Sequence, residues 1–141
     1  VFRLPKKASE PAEKLIEIGT VTRTDFVKFA GAGGDFNPMH HDDGFAQASG
    51  FPSVFAMGMM TASMASRLIT DWFGIEAVRT YEVRFRAMVW PGERLRARGR
   101  ILGPVEGAAD GRLLVEFDVA NADGEVKVSG QAQVATEHRS H

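Results

Sequence analysis

The sequence contains no cysteine, which excludes a disulfide framework, a thiolate nucleophile and a cysteine-ligated zinc ion. It also lacks an excess of charge of either sign. Its 17 Lys and Arg and 18 Asp and Glu leave a formal net charge of -1, so there is no bulk electrostatic case for a nucleic-acid partner. No apolar run is long enough to span a bilayer, and no internal repeat or low-complexity tract is present. What remains is a chain of 141 residues, enough for one domain with a real hydrophobic core. Residues 1–14 are expected to form a flexible lead-in, 15–137 a single domain and 138–141 a tail. Val1 to Pro11 is polar, with Lys6, Lys7 and Glu10, and lacks the apolar core of a signal peptide. The expected location is the cytoplasm.

The first half of the chain reads as short elements and one long helix. Leu15 to Val21 is a candidate strand. Thr22 is a good N-cap, and Asp25 three residues later completes a capping box, so a short helix is expected over Asp25 to Ala30, ended by Gly31 to Gly34. Asp42 or Asp43 can cap a second short helix through Phe45 and Ala48, broken by Gly50-Phe51-Pro52. The longest helix is expected from Gly58 to Phe73, with Gly74 as its stop. It carries only Arg67 and Asp71 as charges and interleaves Met57, Met59, Met60 and Met64 with small residues. So little polar surface implies burial nearly all round.

The second half changes period. Tyr81 to Val89, Leu95 to Ile101, Leu113 to Val119 and Val126 to Val134 alternate apolar and polar residues, the pattern of strands with one buried face. Pro91-Gly92, the Gly103–Gly111 stretch and Asn121 to Gly124 supply the turns. The fold class is therefore α+β: a curved antiparallel sheet wrapped around a long central helix. Arg84, Arg86, Arg94, Arg96, Arg98 and Arg100 lie on the polar faces. They can bind phosphate or pair with cross-strand acids such as Glu82, Glu93, Glu116, Asp118 and Glu125, and pairing is the expected reading.

Chemistry concentrates in Gly34-Asp35-Phe36-Asn37-Pro38-Met39-His40. Pro38 has no N–H and biases Asn37 away from helix, and Gly33 and Gly34 permit a sharp turn before the acid. A bent loop of this kind can aim a carboxylate and an imidazole, five residues apart, at one bound water, as acid/base catalysis requires. On local chemistry alone a second reading stands beside it: Asp35 and Asn37 make side-chain turns and His40 is a surface residue.

The segment from Phe29 to His40, with Ala46 six positions further on, resembles the motif of the MaoC-like, (R)-specific enoyl-thioester hydratases and dehydratases of the hot-dog fold. Met57-Gly58-Met59 at the start of the long helix, Ser66 further along it, and Val83-Arg84-Phe85 leading to Pro91-Gly92 fit the same family in order. The resemblance runs from about Ile18 to Val134. It implies reversible hydration of a trans-2-enoyl thioester of CoA or acyl carrier protein to the (R)-3-hydroxyacyl thioester. Asp35 and His40 would act on the water, the Gly58 N–H would form the oxyanion hole, and Asn37 and Ser66 would support the site. It implies no cofactor and no metal, and a homodimer or a heterodimer with a second hot-dog subunit. The sequence departs from the family at Met39 and at Met57, a position often His or Gln in relatives. Met57, Met59, Met60 and Met64 suit an acyl pocket, because thioethers are apolar and adaptable; ordinary core packing accounts for them equally simply. Two other functions share this fold: an acyl-CoA thioesterase, and a non-catalytic acyl-binding partner subunit.

Overall fold

The computed structural model describes residues 12–136; the expected tail and residues 1–11 of the expected lead-in lie outside them, while Glu13 and Lys14, expected in the lead-in, already belong to the first strand. β1 (Glu13–Thr20) is followed by α1 (Arg23–Gly33), a single 3-10 turn (Pro38–His40), α2 (Asp43–Ala48) and α3 (Gly58–Phe73). Then come β2 (Val78–Phe85), β3 (Arg94–Pro104), β4 (Leu113–Asn121) and β5 (Val126–Val134). The strands form one antiparallel sheet in the order β1-β3-β4-β5-β2, with β1 and β2 at its edges. α3 lies across the sheet and touches all five strands. Leu68, Ile69 and Ala65 of α3 are fully buried against Leu95, Val115 and Phe117. This is the expected α+β arrangement.

Thr22 and Asp25 form the capping box in both directions. α1 nevertheless runs through Gly31 and Gly33, beyond the expected stop at Ala30, and ends only where Gly34 adopts a left-handed φ of 71°. A run of glycines lowers helix propensity, but a positive φ is what ends the hydrogen-bond pattern. Asp42, not Asp43, caps α2. α3 has the expected bounds but not the expected burial. Met59, Ser63, Arg67 and Asp71 form an exposed stripe at four-residue spacing, because the sheet covers one side of the helix and nothing described covers the other.

Two departures occur in the sheet. The alternation from Tyr81 continues in sequence to Val89, but β2 ends at Phe85; residues 86–93 form an irregular connection to β3. Lys127, expected on the polar face of β5, is fully buried. The pairing steps from Val119↔Val128 to Ala120↔Val126, so Lys127 is the extra residue of a β-bulge, which re-aims its side chain inward. Of the sheet arginines, Arg94 pairs with Glu17, Arg98 with Asp118 and Arg100 with Glu116, and Arg86 donates to the Ser129 hydroxyl at 2.9 Å. Arg84 and Arg96 have no carboxylate within 4.0 Å among the described residues.

Candidate active site

The Asp35–His40 loop is built from two successive side-chain turns. Asp35 Oδ1 accepts the Asn37 N–H at 3.3 Å, and Asn37 Oδ1 accepts the Met39 N–H at 3.1 Å. Pro38 occupies the first position of the 3-10 turn, where a missing N–H costs nothing. The turn reading and the acid/base reading thus describe the same residues, since the turns are what bring His40 back toward Asp35.

His40 Nδ1 lies 2.7 Å from the Phe55 carbonyl oxygen. A carbonyl only accepts, so Nδ1 carries a proton, and a neutral ring then has its lone pair at Nε2. That Nε2 is 3.8 Å from Asp35 Oδ2, too far for a direct hydrogen bond and suited to one water reaching both. The His40 side chain is 12% exposed and that of Asp35 46%, so the pair opens to solvent on the carboxylate side. Edge-on contact with the Phe55 ring, 5.2 Å between centroids, further fixes the imidazole.

Phe55 belongs to a short connection that leads into α3, where three successive N–H groups are held. The Val54 N–H donates to Asp43 Oδ1 at 3.0 Å, the Phe55 N–H to Met39 O at 3.4 Å and the Ala56 N–H to Val89 O at 2.8 Å. The Val54 N–H and the Arg23 guanidinium hold the Asp43 carboxyl below the usual carboxylate range. Phe55 precedes Gly58 by three residues, about 10 Å of chain at most, so the His40 anchor lies next to the start of α3.

α3 begins without a side-chain cap: Met57 occupies the N-cap, buried, and offers no oxygen. The Gly58 and Met59 N–H groups have no acceptor among the described residues. Free donors at a helix N-terminus, backed by its dipole, suit a developing negative charge. A Cβ on Gly58 would lie 3.0–3.3 Å from the Phe85 ring, a side chain that is 56% exposed and would have to give by a few tenths of an ångström.

The other candidates separate. The Ser66 hydroxyl donates to Ser63 O at 2.7 Å, and among the described residues no hydrogen bond joins it to Asp35 or His40. Met57 and Met60 are buried in the core, Met64 packs partly against it, and Met59 is 60% exposed beside Gly58; the four do not form one pocket. A hollow of about 520 Å³ lies elsewhere, on the outer sheet face by Glu82, Arg84, Arg86 and Gln131. Among the described residues no group of three His, Asp or Glu can hold a metal ion, and no helix is long and apolar enough to cross a membrane. Sequence reasoning missed Phe55 and Asp43 as a backbone acceptor, and read Phe85 only as a strand residue. An isolated aromatic residue in a loop, as at Phe55, carries no local signal, and Asp43 was legible only as a possible cap.

Comparison with known proteins places this geometry. Residues 7–121 match the family model described as the MaoC like domain. The chain is 38% identical over 101 residues to the enoyl-CoA hydratase ChsH3 of Mycobacterium tuberculosis, covering 69% of the chain and 32% of that protein. It is 29% identical over 109 residues to the fatty acid synthase subunit beta of Saccharomyces cerevisiae, covering 75% of the chain and 5% of that much longer protein. The chain therefore spans under a third of each of these relatives. Among solved structures, the unliganded R-hydratase PhaJ1 of Pseudomonas aeruginosa superposes with a TM-score of 0.74 at 25% identity, over 90% of the chain and 80% of that structure.

Proposed function

The chain belongs to the MaoC-like domain family, and on that premise we propose that it reversibly hydrates a trans-2-enoyl thioester of CoA or acyl carrier protein to the (R)-3-hydroxyacyl thioester. The observation that carries the reading is the pairing of Asp35 with a His40 whose Nδ1 is committed to Phe55, leaving Nε2 free to face the carboxylate at 3.8 Å. One water bridges Asp35 Oδ2 and His40 Nε2. Asp35 takes its proton while His40 orients it, and its oxygen bonds to C3. The C2–C3 π pair moves toward the thioester carbonyl, whose oxygen receives the Gly58 N–H. The enolate then collapses as C2 takes a proton from the acid formed in the first step, and dehydration is the reverse path. Removing a comparable oxyanion donor costs about 3 kcal/mol in barrier.

Asn37 supports the site through the turn that places His40, and the exposed Met59 and Phe85 provide an apolar wall for the acyl chain. No cofactor enters this chemistry. The free edge of β2 supports pairing with a second copy, giving a homodimer, or with another hot-dog subunit, giving a heterodimer; light scattering of the purified chain distinguishes a dimer from a monomer.

The test is incubation with crotonyl-CoA. Loss of the enoyl absorbance without release of thiol, abolished in Asp35→Asn and His40→Ala, supports hydration. Release of free thiol would assign a thioesterase instead, and wild-type rates in either variant would remove the catalytic assignment.

A further inference from the structure

Lys127 is an expensive residue for the interior of a sheet. It is 0% exposed, and burying an ammonium group costs several kcal/mol that its partners must recover. The charge is delivered inward by a bulge, a feature that re-aims a side chain at the expense of regular pairing.

What the charge touches is the irregular connection after β2. Lys127 O accepts the Arg86 and Ala87 N–H groups at 2.9 and 3.2 Å, and Lys127 Nζ donates to Met88 O at 2.9 Å. Nζ also pairs with Glu125 and, at 3.0 Å, with Glu93 Oε1. Glu93 extends the hold to the far end of the connection. Its Oε2 accepts the Trp90 N–H at 2.8 Å and its Oε1 accepts from Asn121 at 2.9 Å. Residues 86 and 87 are thus held by the Lys127 backbone, and Met88 and Trp90 by the Lys127 and Glu93 side chains.

The gripped segment faces the anchor of His40. Val89 O receives the Ala56 N–H at 2.8 Å, and the Trp90 ring meets the Phe55 ring edge-on at 5.9 Å. Phe55 in turn holds the imidazole through its carbonyl and its ring. We propose that Lys127 and Glu93 are positioning residues for His40: they fix residues 86–90, which seat Phe55 and Ala56, and so keep the imidazole in the Nδ1–H tautomer with Nε2 toward Asp35. The catalytic consequence rests on the hydratase reading; the structural one does not. A reacting group must be held to well under an ångström, and misplacement by about 1 Å from a distant mutation can cost on the order of 10²-fold in rate.

The tautomer of His40 is read directly from long-range ¹⁵N–¹H correlations of the imidazole, with the His40 signals identified by their loss in His40→Ala. The wild-type protein should show the Nδ1–H form alone. In Lys127→Met and Glu93→Gln the ring should become a mixture of tautomers. The kcat on crotonyl-CoA should fall, on the order of 10²-fold for Lys127→Met, with KM little changed. Folded variants that retain both the single tautomer and the wild-type kcat would overturn the proposal. If Lys127→Met does not fold, Glu93→Gln and Trp90→Leu decide it by the same two measurements, each removing one link. Should His40→Ala itself retain full hydration, the catalytic role of His40 fails, and should the wild type not hydrate crotonyl-CoA, the hydratase reading fails, while the tautomer measurement still tests the hold on His40.

Discussion

Along β3 and β4 the backbone groups meet in a ladder that runs from Leu95↔Asn121 to Pro104↔Leu113 with one interruption. From Asp35 to Gly58 no ladder exists, and outside α2 the chain is held by individual acceptors that include the Asp35, Asn37 and Asp43 side chains and the carbonyls of Met39 and Val89. The ladder tolerates exchange of outward side chains, because its hydrogen bonds do not involve them. The loop region depends on its side chains for its local geometry, because they are the hydrogen-bond partners. Stability and chemistry are accordingly carried by different parts of the molecule.

The sharpest test of that division is in the loop. His40→Ala and Asp35→Asn should lower kcat by about 10²- to 10⁴-fold, the usual worth of general acid–base catalysis, while thermal unfolding stays near that of the wild type; a variant that loses stability in proportion to activity would erase the distinction. The converse belongs to the sheet. Phe117 is fully buried and stacks on Tyr81 at 5.2 Å. Phe117→Ala should cost about 3–5 kcal/mol in denaturant unfolding, while the fraction that remains folded should keep its kcat.

Between the two regions stands the Lys127–Glu93 pair, and pH separates its contribution. Burial pushes the Glu93 carboxyl up, but the Trp90 N–H, Asn121 and Lys127 together hold it below the ordinary glutamate value. A carboxylate depressed by folding stabilises the protein above its unfolded-state pKa, and that stabilisation is lost as pH falls through the folded-state pKa. Lys127 is the mirror case. Burial pulls it down, yet Glu125 and Glu93 hold it above the ordinary lysine value, so its contribution is full below the unfolded-state pKa and lost only as alkaline pH passes the folded-state one. Melting temperature against pH should therefore fall less steeply on the acid side for Glu93→Gln than for the wild type; superimposable acid limbs would count against this account. The smallest effect is expected at the outer sheet face. Arg98 is well exposed and pairs with Asp118 at 3.3 Å, and Arg98→Ala should change stability by less than about 1 kcal/mol and leave crotonyl-CoA turnover unaltered.

The scaffold was largely legible because its signals are local and repeated. Period-2 alternation marks Leu113 to Val119 and Leu95 to Ala97 as half-buried strands, and the Thr22–Asp25 box marks the start of α1. Where the reading went astray, a non-local term prevailed. Polar–apolar alternation puts Lys127 outside, and only the bulge against β4 turns it inward. The methionines of α3 share a composition but not a direction, and the sheet decides that Met57 and Met60 are buried while Met59 is not.

By itself the sequence determined the α+β class, the bounds of α3, the cross-strand pairing of several sheet arginines, and the loop in which Asp35 and His40 lie close. Each depends on spacing along the chain or on the chemistry of adjacent residues, so each is written locally. Only the tertiary structure decided which imidazole nitrogen is free, because that depends on a carbonyl fifteen residues away at Phe55. It alone decided that the Phe85 ring lies beside Gly58, and that a buried lysine holds the Met88 carbonyl. Those contacts form between segments that meet only when the sheet closes around α3, and no periodicity within either segment encodes them.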